Sequence, residues 1–345
     1  MEARRMINDP TVIELTLDQA VDKALATSKD LKQSDYDIER GEKVREKVAD
    51  TVKYIPIGPS PEAASAAFTT LVQTDLAWQM SKKTKTMKAD AVVLSVFQAY
   101  TNVLSAQEEV TAAEAALKNA DWQQRAARAS YQVGMSSEAA KIQAEAGYQL
   151  RKAALEAARQ GLIDKYQALN NIVGLKPDDR PVLLDIPQFI PIEIDNLEAA
   201  IQRRLEQSPS IWLADRKVEL AKLDLDLYDW TNPMREPYDA KKIDVSTAEL
   251  TAADGKEQMR QGIRAIYNKI LQLEENYALQ QENLKIAEEN LRVVQVQFEV
   301  GMATKAQLLE AESQVAEAKK SLASTIYTHE VLKLQFDKPW AAATA

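Results

Sequence analysis

The chain has 345 residues, 46% hydrophobic and 28% charged with 9 Gly, a composition that excludes a disordered or collagen-like polypeptide. Aromatic residues make up only 6%, so the core must be built from aliphatics and alanine, which suits closely packed helices. The formal charge of -9 argues against a nucleic-acid partner, and the absence of Cys with a single histidine, His329, removes disulfide scaffolds and thiolate or multi-histidine metal sites.

No run reaches the ~18–20 apolar residues of a membrane-spanning helix. The opening "MEARRMINDP" also lacks the apolar stretch of a signal peptide. The chain is therefore expected to be either cytoplasmic or an exported protein whose targeting segment has been removed.

In chain order, the sequence reads as a duplication. "LDQAVDKALATSKDL" from Leu17 corresponds to "LEAAIQRRLEQSPSI" from Leu197. A second set of matches at another offset pairs Tyr100 with Tyr267, Gly134 with Gly301 and Leu155 with Leu322. Each half predicts a medium helix, an irregular connector, a long helix, a tight turn and a returning helix. In the first half these fall near 16–52, 87–132 and 137–173, and in the second near 195–229, 252–300 and 305–336. The domain expectation is a first helical repeat over 14–175, a crossover over 176–194 and a second repeat over 195–336. Pro177, Pro181, Pro187 and Pro191 make the crossover extended.

The turns are the most informative stretches. "SYQVGMSSEAAKIQ" and "QFEVGMATKAQLLE" place Gly134 and Gly301 where a long helix stops, the position at which glycine takes the left-handed conformation without steric cost. Ser136, Ser137 and Thr304 supply hydroxyl caps for the returning helices. Leu308, Ala311, Val315, Ala318 and Leu322 step by 3 and 4, a coiled-coil seam. Ile286, Val293 and Val300 recur every seven residues as a second stripe on the outgoing helix. A helix apolar on two sides has two packing neighbours, and such stripes predict self-association.

These turns, the duplicated opening "LTLDQAV…AL" and the closing "YQALNNIVGL" resemble the outer-membrane efflux family typified by TolC. The resemblance implies an all-α chain of duplicated long antiparallel hairpins, a protomer of a helical barrel that assembles as a trimer and carries substrates across the periplasm. It also implies a periplasmic adaptor docking at the tips, Tyr131, Gly134, Ser137, Phe298, Gly301 and Thr304, and an inner-membrane transporter as a further partner. Ile286, Val293, Val300, Leu308, Val315 and Leu322 are the expected oligomer-packing residues. Localisation is then the cell envelope.

Two departures from the family stand out. Its members insert two long β-strands between the first and second helices of each half, whereas these connectors are short, and the second carries Pro233, Pro237 and several charges. Little or no β-barrel is expected; "FTTLVQTDLAWQM" reads as one strand or as first helical turns. The family also commonly carries an arginine before the aromatic of the turn and an acid six residues after the glycine. Ser130, Gln297, Ala140 and Gln307 stand there instead, which removes an entrance latch built on those charges.

Nothing in the sequence joins a nucleophile to a base and an orienting group, so no enzyme and no cofactor or metal is expected. The pairs Glu108–Glu109, Glu274–Glu275 and Glu288–Glu289 read as solvated faces. Lys82, Lys83, Lys85 and Lys88 read first as a solvated helix start and second as a contact for anionic headgroups. The competing functional reading is a barrel-less structural protein that self-assembles into an envelope spacer, surface layer or filament.

Overall fold

The computed structural model describes residues 13–53, 62–226, 228 and 236–342. Their elements in order are β1 (Glu14–Leu15), α1 (Leu17–Thr27), α2 (Lys29–Ala49), α3 (Glu62–Gln132), α4 (Glu138–Val173), β2 (Val182–Leu183), α5 (Leu197–Gln207), α6 (Pro209–Asp226), α7 (Tyr238–Glu299) and α8 (Lys305–Asp337). The fold is all-α, and β1 and β2 form a two-residue parallel pair with Glu14 opposite Val182 and Leu15 opposite Leu183. Among the described residues no helix is long and apolar enough to cross a membrane.

Several boundaries differ from those expected. The first medium helix of each repeat is two helices, broken at Ser28 and at its repeat counterpart Ser208. Ser28 Oγ accepts from Leu31 N at 3.3 Å and starts α2; Ser208 Oγ accepts from Ile211 N at 3.4 Å, with Pro209 at the first helical position of α6. The long helices begin earlier than expected, α3 at Glu62 and α7 at Tyr238. "FTTLVQTDLAWQM" is helical. The stretch 62–132 contains neither Gly nor Pro, so nothing in it stops propagation. In α7, Gly255 and Gly262 are absorbed at about 1 kcal/mol each. Residues 54–61 and 229–235, the centres of both connectors, lie outside the described residues.

The chain divides into two compact units, each drawing on both repeats. Unit 1 comprises residues 1–24, 96–191 and 270–332. There, α3 and α4 are linked by Arg128–Glu145, Arg159–Glu114 and a Gln107–Tyr166 hydrogen bond. Lys118–Glu312 and the Asn119 amide on Glu310 link α3 to α8, and Lys319–Glu288 with Asn290–Gln314 links α8 to α7. The helix order is thus α4, α3, α8, α7. In every pair the sequence numbers climb on one helix as they fall on the other, so the helices are antiparallel and both turns lie at the same end. Small residues such as Ala112, Ala120, Ala158 and Ala311 are buried in these seams, where they let the axes approach closely.

Tyr100 closes unit 1 at a distance from the turns. Its buried hydroxyl donates to Leu15 O at 3.2 Å and accepts from Asp185 N at 3.0 Å, joining β1, α3 and the crossover. Burial raises this phenol above its ordinary value, so it stays a donor. Asp185 in turn accepts from Leu17 N at 2.7 Å, at the start of α1. The crossover contains β2 and no helix, and the Asn170 amide donates to the carbonyls of Lys176 and Asp179, both at 2.9 Å, to fix its entry.

Unit 2 comprises residues 25–95, 192–269 and 333–345. Its core includes Leu31, Leu94, Ile201, Leu205, Ile263 and Phe336. Asp90 accepts from Lys338 Nζ at 2.6 Å and Trp340 Nε1 at 2.7 Å, tying the chain after α8 onto α3. The lysine cluster is engaged internally: Lys85 pairs with Asp35, Lys88 donates to Ser34, and Lys82 and Lys83 lie over the Trp78 and Trp212 rings.

Tyr100→Phe removes a hydroxyl that bonds the buried Leu15 carbonyl and the part-buried Asp185 N–H and should destabilise the protein by about 1–3 kcal/mol. Denaturant unfolding of the variant checks this.

Candidate interaction surface of the helical hairpins

Gly134 and Gly301 stand at φ 75° and 77°, the left-handed region expected of them. Around each, the same two hydrogen bonds close the helix end. Gly134 N donates to Tyr131 O at 3.0 Å and Met135 N to Ser130 O at 2.8 Å; Gly301 N donates to Phe298 O at 3.1 Å and Met302 N to Gln297 O at 2.7 Å. This is the Schellman pattern in both repeats. A Cβ at either glycine would meet nothing within 4 Å, so it is the backbone conformation, not space, that asks for glycine here.

The returning helices are capped differently. Ser137 Oγ accepts from Ala140 N at 3.2 Å, and Ala140 has no group to return. Thr304 and Gln307 form a reciprocal box, with Gln307 N donating to Thr304 Oγ1 at 3.3 Å and Thr304 N to Gln307 Oε1 at 2.7 Å. The aromatics flank the turns under cations, Lys141 Nζ 4.7 Å from the Tyr131 ring and Lys305 Nζ 5.4 Å from Phe298.

Exposure separates the expected packing residues into two groups. Ile286, Val293 and Val300 are exposed, Ile286 at 65%. Leu308 and Val315 are buried within the chain and Leu322 is half-buried. Leu308 and Val315 are thus packed between α8 and its neighbours in the same chain. Sequence reasoning missed an apolar edge on α4, where Ile142 and Leu150 are exposed, Leu150 at 67%. It also missed the tip methionines, Met135 at 84% and Met302 at 78% exposed, beside exposed Val133. The signal was present in the repeated "VGM".

Between α3, α7 and α8 a groove of about 420 Å³ is lined by Gln123, Asn290, Gln307, Gln314 and Glu310 among others. Its polar groups are mostly neutral amides, and Glu310 is held by Asn119 and Gln314. Such a lining offers hydrogen bonds from neutral amides and from the Glu310 carboxylate. Among the described residues there is no cluster of three His, Cys, Asp or Glu side chains suited to a metal ion.

Residues 213–327 match the sequence model of the outer membrane efflux protein family. Over that segment the chain is similar to the outer membrane efflux proteins. Its fold is similar to that of the Campylobacter jejuni CmeC outer membrane channel, with a TM-score of 0.73 at 15% identity, covering 94% of this chain and 85% of that one. It is also similar to the outer-membrane channel OprN, with a TM-score of 0.71 at 13% identity over 94% and 90% of the two chains. The open-state Neisseria gonorrhoeae MtrE outer membrane channel gives 0.67 at 14% identity, over 94% and 88%. No curated protein sequence matches the chain. Gln307 is spent on capping α8.

Gly134→Val and Gly301→Val should each cost about 1–2 kcal/mol through backbone strain alone, and Ser137→Ala about 1 kcal/mol through the lost cap. Thermal unfolding of the three variants measures both effects; unchanged glycine variants would contradict the strain argument.

Proposed function

We infer that this chain is a non-enzymatic protomer of an envelope export conduit, assembled from several copies through α4 of one protomer and α7 of the next. The observation that carries this reading is the pair of unpartnered apolar edges. In the order α4, α3, α8, α7 the two inner helices have neighbours on both sides, while the outer helices expose Ile142 and Leu150 on one edge and Leu279, Ile286 and Val293 on the other. A head-to-tail contact between unlike edges closes into a ring when the rotation permits. The family resemblance makes that ring a trimer. The exposed tips, centred on Gly134–Met135 and Gly301–Met302, then face a periplasmic adaptor and, through it, an inner-membrane transporter.

A second reading has its own support. From Glu62 and from Tyr238 onward both connectors are helical, α3 and α7 running through stretches in which the family resemblance places strands. A barrel-less assembly, closed or open-ended, serves as an envelope spacer or filament with the same helix faces.

Imaging of purified particles separates the two: closed rings with a lumen support the conduit, and filaments or sheets support the structural role. Ile286→Glu and Leu150→Glu should each weaken self-association at least about tenfold, since a carboxylate would be buried in an apolar seam. Sedimentation of both variants measures this, and unchanged assembly in both would overturn the proposed edges.

A further inference from the structure

The groove between α3, α7 and α8 carries one formal charge, the Glu310 carboxylate, and no Lys, Arg or His stands among its lining residues. Elsewhere in unit 1 acids are paired with cations, as in Lys118–Glu312, Arg159–Glu114 and Lys319–Glu288. Glu310 has no such cation among the described residues. Lys118, next in sequence to the Asn119 that bonds Glu310, pairs with Glu312 instead.

What holds Glu310 is a ladder of neutral amides that crosses three helices. On the α3 side, Gln123 Nε2 donates to Asn119 Oδ1 at 3.3 Å, and Asn119 Nδ2 donates to Glu310 Oε2. On the α7 side, Asn290 Nδ2 donates to Gln314 Oε1 at 3.4 Å, and Gln314 Nε2 donates to Glu310 Oε1 at 3.5 Å. Every donor in the ladder runs towards the carboxylate. Hydrogen bonds in series polarise one another, so both arms support the negative charge and strengthen the carbonyls at their far ends. Those carbonyls, Gln123 Oε1 and Asn290 Oδ1, accept nothing among the described residues.

The groove therefore offers three acceptor groups with capacity to spare: Gln123 Oε1, Asn290 Oδ1 and the remaining lone pairs of Glu310. Gln307 spends its Oε1 on the α8 cap, which leaves its amide N–H groups as donors. A primary ammonium brings three N–H donors and no acceptor. Against this lining it forms charge-assisted bonds, whereas an anion finds no cation and an apolar molecule leaves the amides unpaired. A volume of about 420 Å³ suits a small ligand.

We propose that this groove binds a small polyhydroxylated primary amine, of the amino-alcohol or amino-sugar class. Its ammonium sits on Glu310, Gln123 and Asn290, and a neighbouring hydroxyl accepts from Gln307. The site lies within unit 1 of a single chain, so it stands or falls apart from the conduit reading.

Glucamine, sorbitol and gluconate share a polyol chain and differ at C1, where they carry an ammonium, a hydroxyl and a carboxylate. Ligand-observed NMR titration of the full chain near neutral pH should give a dissociation constant of about 1 mM for glucamine. Sorbitol should bind at least about tenfold more weakly, and gluconate not at all. Glu310→Gln keeps the side-chain shape and should bring glucamine down to the level of sorbitol. Glu109→Gln, at an exposed position of α3 outside the groove, should leave glucamine binding unchanged.

Equal binding of glucamine and sorbitol would overturn the proposal, as would no binding of glucamine at about 10 mM. Equal losses in the two variants, the mark of general attraction to an acidic chain, would overturn it as well. Should Glu310→Gln fail to fold, Asn290→Ala, at an exposed position of α7, takes its place. That variant should weaken glucamine at least about threefold, and an unchanged affinity counts against the site.

Discussion

A helix that runs for 62 or 71 residues without a stop must find neighbours along its length, and most of this structure follows from that requirement. A propensity for helix keeps the backbone regular, but stability over such a length comes from burying a stripe. In unit 1, α3 is linked to α4 on one side and α8 on the other, and α8 to α3 and α7. Alanines in the seams bring the axes close, which matters in a chain with few aromatics to fill wider gaps. The two outermost helices keep an apolar stripe each.

The turns obey the same geometry. A hairpin of long helices can close only where the chain reverses within a few residues, and a left-handed glycine with two hydrogen bonds back into the last turn does this in both repeats. Their identity at the backbone contrasts with their divergence at the caps. Ser137 caps alone, whereas Thr304 and Gln307 cap each other. Gln307 is thus committed to starting a helix. The outward-facing residues of the turns are methionine and valine, an apolar and adaptable surface.

The hairpins and their turns were legible because their signals are local: a glycine after a helical period, a hydroxyl before the next. The crossover was legible from its prolines. The connectors were not. Pro233, Pro237 and the charges around them suggested irregular chain, yet α7 begins at Tyr238, because charged residues are ordinary on a solvated helix. The breaks at Ser28 and Ser208 did carry a sequence signal, serine capping with proline following in the second copy, but continuous apolar periodicity across both masked it. Assignment of packing residues was limited for a deeper reason. Periodicity reveals that Val315 and Val293 lie on apolar stripes; it does not say that the first faces a helix of the same chain and the second faces outward.

That ambiguity also bears on how one register is chosen. An apolar seam of repeating heptads is nearly degenerate, since sliding one helix by seven residues restores similar contacts. Polar pairs are not degenerate, because a buried donor or acceptor left without its partner costs about 1–3 kcal/mol. Unit 1 spaces such pairs along its seams: Asn119 on Glu310 between α3 and α8, Gln107 on Tyr166 between α3 and α4, and His329 on Glu274 between α7 and α8. Each is satisfied in one alignment only. Tyr100 and Asp185 then lock the crossover and the start of α1 to that alignment. The alanine and leucine seams supply the adhesion between helices, and a few polar side chains decide where along their length it is allowed.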